Sequence, residues 1–259
     1  MDIQLVALDL DGTLLRSDNS ISERTIGALR RCRERGVKIA LVTARSYQST
    51  ERINNMVSAD LLVLNGGAEI RKDRETLFNL AMSNALADEV VAFASTLPSF
   101  YRVTADTSDG RYLVSSLSEN NLSGDYLKAE LFDFNNPIDS CVLKLVIHLR
   151  DEADRRALTG QYKELAIFTY VGTNATFVAQ KGALKWNGLC LAAEMLGVSP
   201  DNTAVFGDDF HDKEMIERCG VGIAMGNAVA EVKESADYIT DSTDDDGVAT
   251  WLETHLLPF

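Results

Sequence analysis

Residues 3–8, Ile-Gln-Leu-Val-Ala-Leu, form an apolar run broken only by Gln4, and the run stops at Asp9. A short run of this kind suits a strand buried on both faces. The pattern returns at Val37–Thr43 and at Leu61–Leu64, and helix-like stretches fill the gaps at Glu23–Arg35 and Ser46–Met56. Ser20 and Glu23 have the spacing of a capping box, and Gly36 is placed to end the first helix. Strand, helix, strand, helix, strand predicts a parallel sheet with helices on both faces.

The alternation resumes near the other end of the chain. A helix is expected over Ala183–Leu196, then strands at Thr203–Phe206, Val221–Ala224 and Ala236–Ile239, and a last helix over Gly247–Leu257. The acidic run Asp244-Asp245-Asp246 reads as the N-terminal cap of that helix. Between these halves the texture changes. Helices are predicted at Asn84–Thr96 and Asp151–Leu165. Strands are predicted at Tyr101–Thr104, Tyr112–Ser115, Cys141–Leu149, Ile167–Val171 and Ala175–Ala179. The expected organisation is a Rossmann-like α/β core from residues 1–81 and 182–259, with an α+β domain inserted at 82–181.

The 259 residues are enough to bury a substantial core, and the net charge of −14 narrows the partners. So acidic a chain repels nucleic acid and anionic membrane surfaces. Cys32, Cys141, Cys190 and Cys219 form no CxxC pair, which points to free thiols in a reducing compartment. The opening MDIQLVALDLDG has acids where a signal peptide is apolar, and no apolar run is long enough to span a membrane. A cytoplasmic protein is expected.

Chemistry is concentrated just after the predicted strands, at Asp9-Leu10-Asp11-Gly12-Thr13, Thr43, Asn65 and Asp208. Parallel α/β sheets bind ligands outside the carboxyl ends of their strands, so marks scattered in sequence converge on one edge. Asp9 and Asp11 are two residues apart, the spacing that puts extended side chains on one face. One carboxylate can attack phosphorus, and the other can give a proton to the leaving oxygen. Gly12 allows a tight turn that brings backbone N–H groups toward an anion. Mg2+ would offset the repulsion between these acids and a phosphate, held by Asp9, Asp208 and the carbonyl of Asp11. Thr43 and the N–H groups after it, beginning at Ala44, offer donors, and Lys185 offers a cation.

Together these marks resemble the haloacid dehalogenase superfamily, and most closely its Cof-type, or IIB, subfamily with a C2B cap. The resemblance rests on Asp9-Leu-Asp11-Gly-Thr-Leu-Leu, Leu41-Val-Thr43-Ala-Arg45, Asn65-Gly66-Gly67, Lys185 and Gly207-Asp208-x-x-His211-Asp212. It also rests on the tail from Val221-Gly-Ile-Ala-Met-Gly-Asn-Ala to Asp246-Gly-Val-Ala. It implies a Mg2+-dependent phosphatase acting on a small phosphorylated metabolite through an aspartyl-phosphate. Asp9 is then the nucleophile and Asp11 the general acid and base. Gly12, Thr43, Ala44 and Lys185 bind the phosphoryl group, and Asp9, Asp11 and Asp208 bind the metal. His211 and Asp212 stand behind these, Asp212 orienting Lys185 or a metal-bound water. Arg45, Asn65 and Gly66 fall at the substrate rim, and the insertion is the cap that closes over the substrate.

Two positions depart from the pattern: His211 replaces the usual asparagine, and Trp186 the usual glycine. Other readings share the residues. A receiver-like signalling module would accept phosphate on aspartate without turnover, but the chain is long for one and receivers lack an acid at the Asp11 position. A phosphomutase is disfavoured by the large insertion, and His211 leaves open a catalytically weak regulatory protein. Arg102, Arg111, Lys144 and His148 are polar candidates for contacts in the insertion. The substrate itself is not legible.

Overall fold

A computed structural model describes residues 2–117, 129–170 and 172–257. The chain divides into two compact units. The first comprises residues 1–44, 51–77 and 185–259, and the second residues 45–50 and 78–184.

The first unit is built on the expected alternation. Strand β1 (Leu5–Leu8) is followed by α1 (Glu23–Glu34), β2 (Lys38–Val42), α2 (Tyr47–Val57) and β3 (Leu61–Leu64). All four residues of β1 are fully buried, as are Ile39–Val42 of β2. Each leucine, valine and isoleucine among them contributes roughly 1.5–3 kcal/mol by leaving water. The cap of α1 is Ser22, whose side chain accepts from Thr25 N–H, and not Ser20. Ser20 is occupied in the preceding turn, where its N–H donates to Asp18 and its carbonyl accepts from Arg16.

A hairpin that the sequence did not announce follows β3: β4 (Glu69–Lys72) and β5 (Glu75–Asn79). Strand β4 runs antiparallel to β3, with Leu64 opposite Glu69. The second unit contains α3 (Asn84–Ser95), β6 (Phe100–Thr107), β7 (Tyr112–Val114), β8 (Ala129–Leu131), β9 (Val142–Leu149), α4 (Glu152–Gln161), β10 (Leu165–Thr169) and β11 (Ala175–Gln180). Its sheet has the order β10-β11-β9-β6-β7-β8, antiparallel except for the β7–β8 pair. A core of Val90, Val91, Val103, Leu145, Ile147, Leu158 and Val178 joins α3 and α4 to the sheet. Helix α4 stops at Gln161 and does not run on to Leu165, because Tyr162 closes the helix and its hydroxyl donates to the Glu89 carbonyl. Leu165 instead opens β10, opposite Gln180 of β11. Val171, the last residue of the strand expected there, lies outside the described residues.

The chain then returns to the first unit with α5 (Lys185–Leu196), β12 (Thr203–Gly207), α6 (Lys213–Arg218), β13 (Val221–Ala224), α7 (Ala230–Lys233), β14 (Tyr238–Ile239) and α8 (Gly247–His255). The sheet order is β14-β13-β12-β1-β2-β3-β4-β5. The pairs from β14 to β3 are all parallel. From β1 the chain works outward through β2 and β3 on one side, and later from β12 through β13 and β14 on the other. The order therefore reverses between β1 and β12, where such sheets open a crevice at their carboxyl edge.

The acidic run before α8 does not cap it. Asp246 occupies the cap position with φ of 59° and makes no side-chain capping bond. Its carboxylate pairs with Arg16 at 2.6 Å, and that of Asp244 accepts from Ser17 N–H at 2.9 Å. Positive charge and an open N–H on the β1–α1 loop compete for these acids and win.

Candidate active site

Strand register explains how separate motifs meet. Leu8 of β1 lies opposite Leu41 of β2 and Phe206 of β12, and Val42 lies opposite Val63 of β3. Asp9, Thr43, Asn65 and Asp208 each follow these positions by one or two residues, so all leave the sheet at one edge. Asp9 and Asp208 flank the point where strand order reverses.

Asp9 is 4% exposed and receives the ammonium of Lys185 on Oδ1 at 2.6 Å. Lys185 opens α5, and the same ammonium contacts Asp212 Oδ1 at 2.7 Å. The other oxygen of Asp212 accepts the N–H groups of Asp208 and Asp209 at 3.1 and 3.2 Å. Asp209 in turn caps the short turn Phe210–Asp212, closing a capping box with Asp212. Asp212 is thereby committed on both oxygens, to the lysine and to the loop.

Asp208 is half-buried, and its Oδ1 accepts from the Thr13 hydroxyl at 3.2 Å. Gly12 has φ of 77°, and a Cβ there would stand 2.2 Å from Asp208 Oδ2, so only glycine fits. The loop winds around one acceptor: the N–H groups of Thr13, Leu14 and Leu15 all donate to the Leu10 carbonyl. Asn227 Nδ2 donates to the Gly12 carbonyl at 2.7 Å, and the Thr243 hydroxyl lies 2.9 Å from the carbonyls of Thr13 and Leu15. Asn227 and Thr243 are thus site-shaping residues that sequence reasoning missed, and Thr13 was read as part of the first motif without a role of its own. Asn227 stands in the Met-Gly-Asn-Ala stretch after β13, which carried the only available signal.

The electrostatics are unbalanced toward negative charge. Burial pushes the Asp9 carboxyl well above its ordinary range; Lys185 pulls it down, and Asp212 and Asp208 push it up again. Burial, seconded by Asp212, carries Asp208 up to about 7. Burial works against the Lys185 charge, but Asp212 and Asp9 outweigh it and hold the lysine above its usual value. One oxygen each from Asp9, Asp208 and Asp212 lies within 4.8 Å of the others. Three acids against one ammonium, all oxygen donors, fit a hard divalent cation.

The remaining expected residues are placed as follows. Asp11 is exposed, while Thr43 is 1% exposed at the end of β2. Thr43 donates its N–H to Val63 and accepts from Gly66 N–H at 3.0 Å. Asn65 and Gly66 are buried, and Ala44 is partly so. Arg45 belongs to the second unit, where its guanidinium reaches the Ser49 carbonyl at 3.5 Å. His211 is half-buried, and burial, against the pull of Asp209, lowers its pKa. Trp186 is buried, with the Arg218 guanidinium 4.6 Å above its ring, so it serves packing.

Within the second unit, Lys144 forms a buried pair with Asp106 at 3.0 Å, and Arg111 is bound by Asp109 and Asp139. Arg102 and His148 are cross-strand neighbours on β6 and β9. Among the described residues no helix is long and apolar enough to cross a membrane.

Over residues 6–252 the sequence matches the haloacid dehalogenase-like hydrolases. It is 28% identical to the stress response protein YhaX of Bacillus subtilis (strain 168), over 98% of this chain and 94% of that one. It is 30% identical to the 5-amino-6-(5-phospho-D-ribitylamino)uracil phosphatase YcsE of the same organism, over 96% of this chain and 94% of that one. A solved structure of a subclass IIB sugar phosphatase from the superfamily aligns with a TM-score of 0.85 at 21% identity, covering 98% of this chain and all of the other.

Proposed function

The chain belongs to the haloacid dehalogenase-like hydrolases and is a phosphatase-type enzyme, and on that premise we propose that it hydrolyses a small phosphate monoester through Asp9. The observation that carries this reading is the Lys185 ammonium, held at 2.6 Å from Asp9 and 2.7 Å from Asp212 beside Asp208.

Asp9 Oδ1 is taken by the lysine, which leaves Oδ2 to attack phosphorus. A bond forms from that oxygen to phosphorus, the ester P–O bond breaks, and the Asp11 carboxyl gives its proton to the departing alkoxide. The product of this step is an aspartyl-phosphate on Asp9 and a free alcohol. The Asp11 carboxylate then takes a proton from water as the water oxygen attacks phosphorus, and the Asp9–phosphorus bond breaks to release phosphate. Thr43, Gly12 and Ala44 supply donors to the phosphoryl oxygens, and Lys185 offsets their charge. Mg2+ would be held by the carboxylates of Asp9 and Asp208 and the carbonyl of Asp11, supplying the positive charge this acidic site lacks. Asp212 keeps Lys185 in place.

The substrate class is a sugar phosphate or a related phosphorylated polyol, a class that also includes the substrate in the name of YcsE. The free cysteines suit the cytoplasm, and the net charge of −14 argues against nucleic acid and anionic membranes as partners. Turnover of p-nitrophenyl phosphate with and without Mg2+, in wild type and Asp9→Asn, tests the reading. Release of p-nitrophenol by wild type alone is expected; equal rates in Asp9→Asn would end the assignment of Asp9.

A further inference from the structure

The turn Asn65–Gly67 is left-handed throughout, with φ of 52°, 70° and 106°. Glycine adopts such angles freely, while asparagine does so at some cost. Asn65 is 1% exposed, and its Nδ2 donates to Glu69 Oε2 at 3.3 Å. Glu69, 4% exposed on β4, accepts Arg71 Nη1 at 3.1 Å and the Thr76 hydroxyl at 3.3 Å on its other oxygen. A buried carboxylate with donors on both oxygens has little freedom to move, and it fixes the Asn65 side chain in turn.

This turn touches two elements that carry phosphate-binding groups. On one side Gly66 N–H donates to the Thr43 carbonyl at 3.0 Å, while Thr43 N–H donates to Val63 at 2.9 Å. The Thr43 backbone is held from both directions. On the other side lies α5. A Cβ at Gly188 would stand 2.5 Å from Val63 Cγ1 and 2.9 Å from Gly67 Cα, so the helix rests on Gly67 with no slack. Lys185 lies about one helical turn before Gly188 on that helix.

We propose that Glu69 is a positioning residue: by locking the Asn65–Gly67 turn, it sets the spacing between Thr43 and the helix that carries Lys185. The proposal rests on the hydrolase reading above. Glu69 touches no reacting atom, so its loss acts on phosphate binding through geometry.

The test is steady-state hydrolysis of p-nitrophenyl phosphate at saturating Mg2+, with inorganic phosphate as the competing ligand. In Glu69→Ala, KM and the inhibition constant for phosphate are expected to rise together by about tenfold, with a smaller fall in kcat. Glu69→Gln keeps the side chain's shape but has one oxygen for donors that now bind two, so it recovers only part of the loss. Asn65→Gly keeps the left-handed turn but removes the anchor, and the same rise in both constants is expected there; it decides the matter if Glu69→Ala does not fold. Variants that melt at lower temperature yet keep both constants within about twofold of wild type would overturn the proposal. Absence of turnover by the wild type would count against the hydrolase reading instead, and calorimetric phosphate binding by the same variants then decides on the turn.

Discussion

Asp212, fully buried, holds the Lys185 ammonium at 2.7 Å and through it steadies Asp9. In the mechanism proposed above, the lysine supplies charge and the aspartate fixes its position. Lys185→Met should lower turnover of p-nitrophenyl phosphate by about a thousandfold, as expected when a group that stabilises the transferring phosphoryl is lost. Asp212→Ala also strips acceptors from two backbone N–H groups, so it should cost about 3–5 kcal/mol of stability. Urea denaturation of Asp212→Ala with an unchanged midpoint would contradict this.

The negative excess at Asp9, Asp208 and Asp212 predicts stabilisation by Mg2+ without substrate. A ligand that binds only the native state at about a hundred times its dissociation constant adds about 2.7 kcal/mol. The melting temperature should therefore rise with Mg2+ and fall back with EDTA. Asp208→Ala should abolish the rise. An equal Mg2+ response in that variant would remove Asp208 from the metal site.

The loop that follows Asp9 depends on residues far along the chain. Asn227 binds the Gly12 carbonyl through Nδ2, and its Oδ1 accepts Thr243 N–H at 2.9 Å. Asn227→Ala should cost about 1 kcal/mol of stability, one hydrogen bond's worth, and lower kcat by roughly tenfold as the loop loosens. Thr243→Ser, which keeps the hydroxyl, should stay near wild type in both measurements, whereas Thr243→Val should resemble Asn227→Ala.

The second unit has its own response to acid. Burial, helped by Arg102 across the strand, lowers His148 to about 4. Tyr101 also faces it, with a hydroxyl 3.5 Å from Nδ1, and Arg150 covers the Tyr101 ring. A histidine depressed in the folded state binds more protons when unfolded, so stability is full above about pH 6.5 and falls as pH drops toward 4. The loss should be about 1–2 kcal/mol once its partial exposure is discounted. His148→Gln should flatten the pH dependence of the urea midpoint over that window; an unchanged slope would exclude His148 as its source.

Asp9 and Asp208 were legible because each ends an apolar run, and a buried parallel strand leaves its ends as the natural place for polar chemistry. Thr43 followed from the same edge, and Lys185 from its place at a helix start and from the family resemblance. The β4–β5 hairpin was not legible: Glu69-Ile-Arg-Lys72 reads as a charged surface segment. Its buried acid makes sense only with Asn65 and Arg71 beside it. The role of the acidic run failed for a related reason. Arg16 and Ser17, which claim Asp246 and Asp244, stand more than two hundred residues away, and local capping rules are blind to them. Ser20 lost the α1 cap to Ser22 over a distance of two residues, the scale on which sequence signals are least sharp.

Strand β1, the centre of the sheet, finds its second neighbour only when residues 203–206 have joined it. Until then, on the ribosome or in any fragment cut short of that point, one side of β1 has open backbone groups, and Asp9 lacks Asp208. A product cut short of that point is therefore expected to lack the proposed site and to offer other chains an unfilled strand edge.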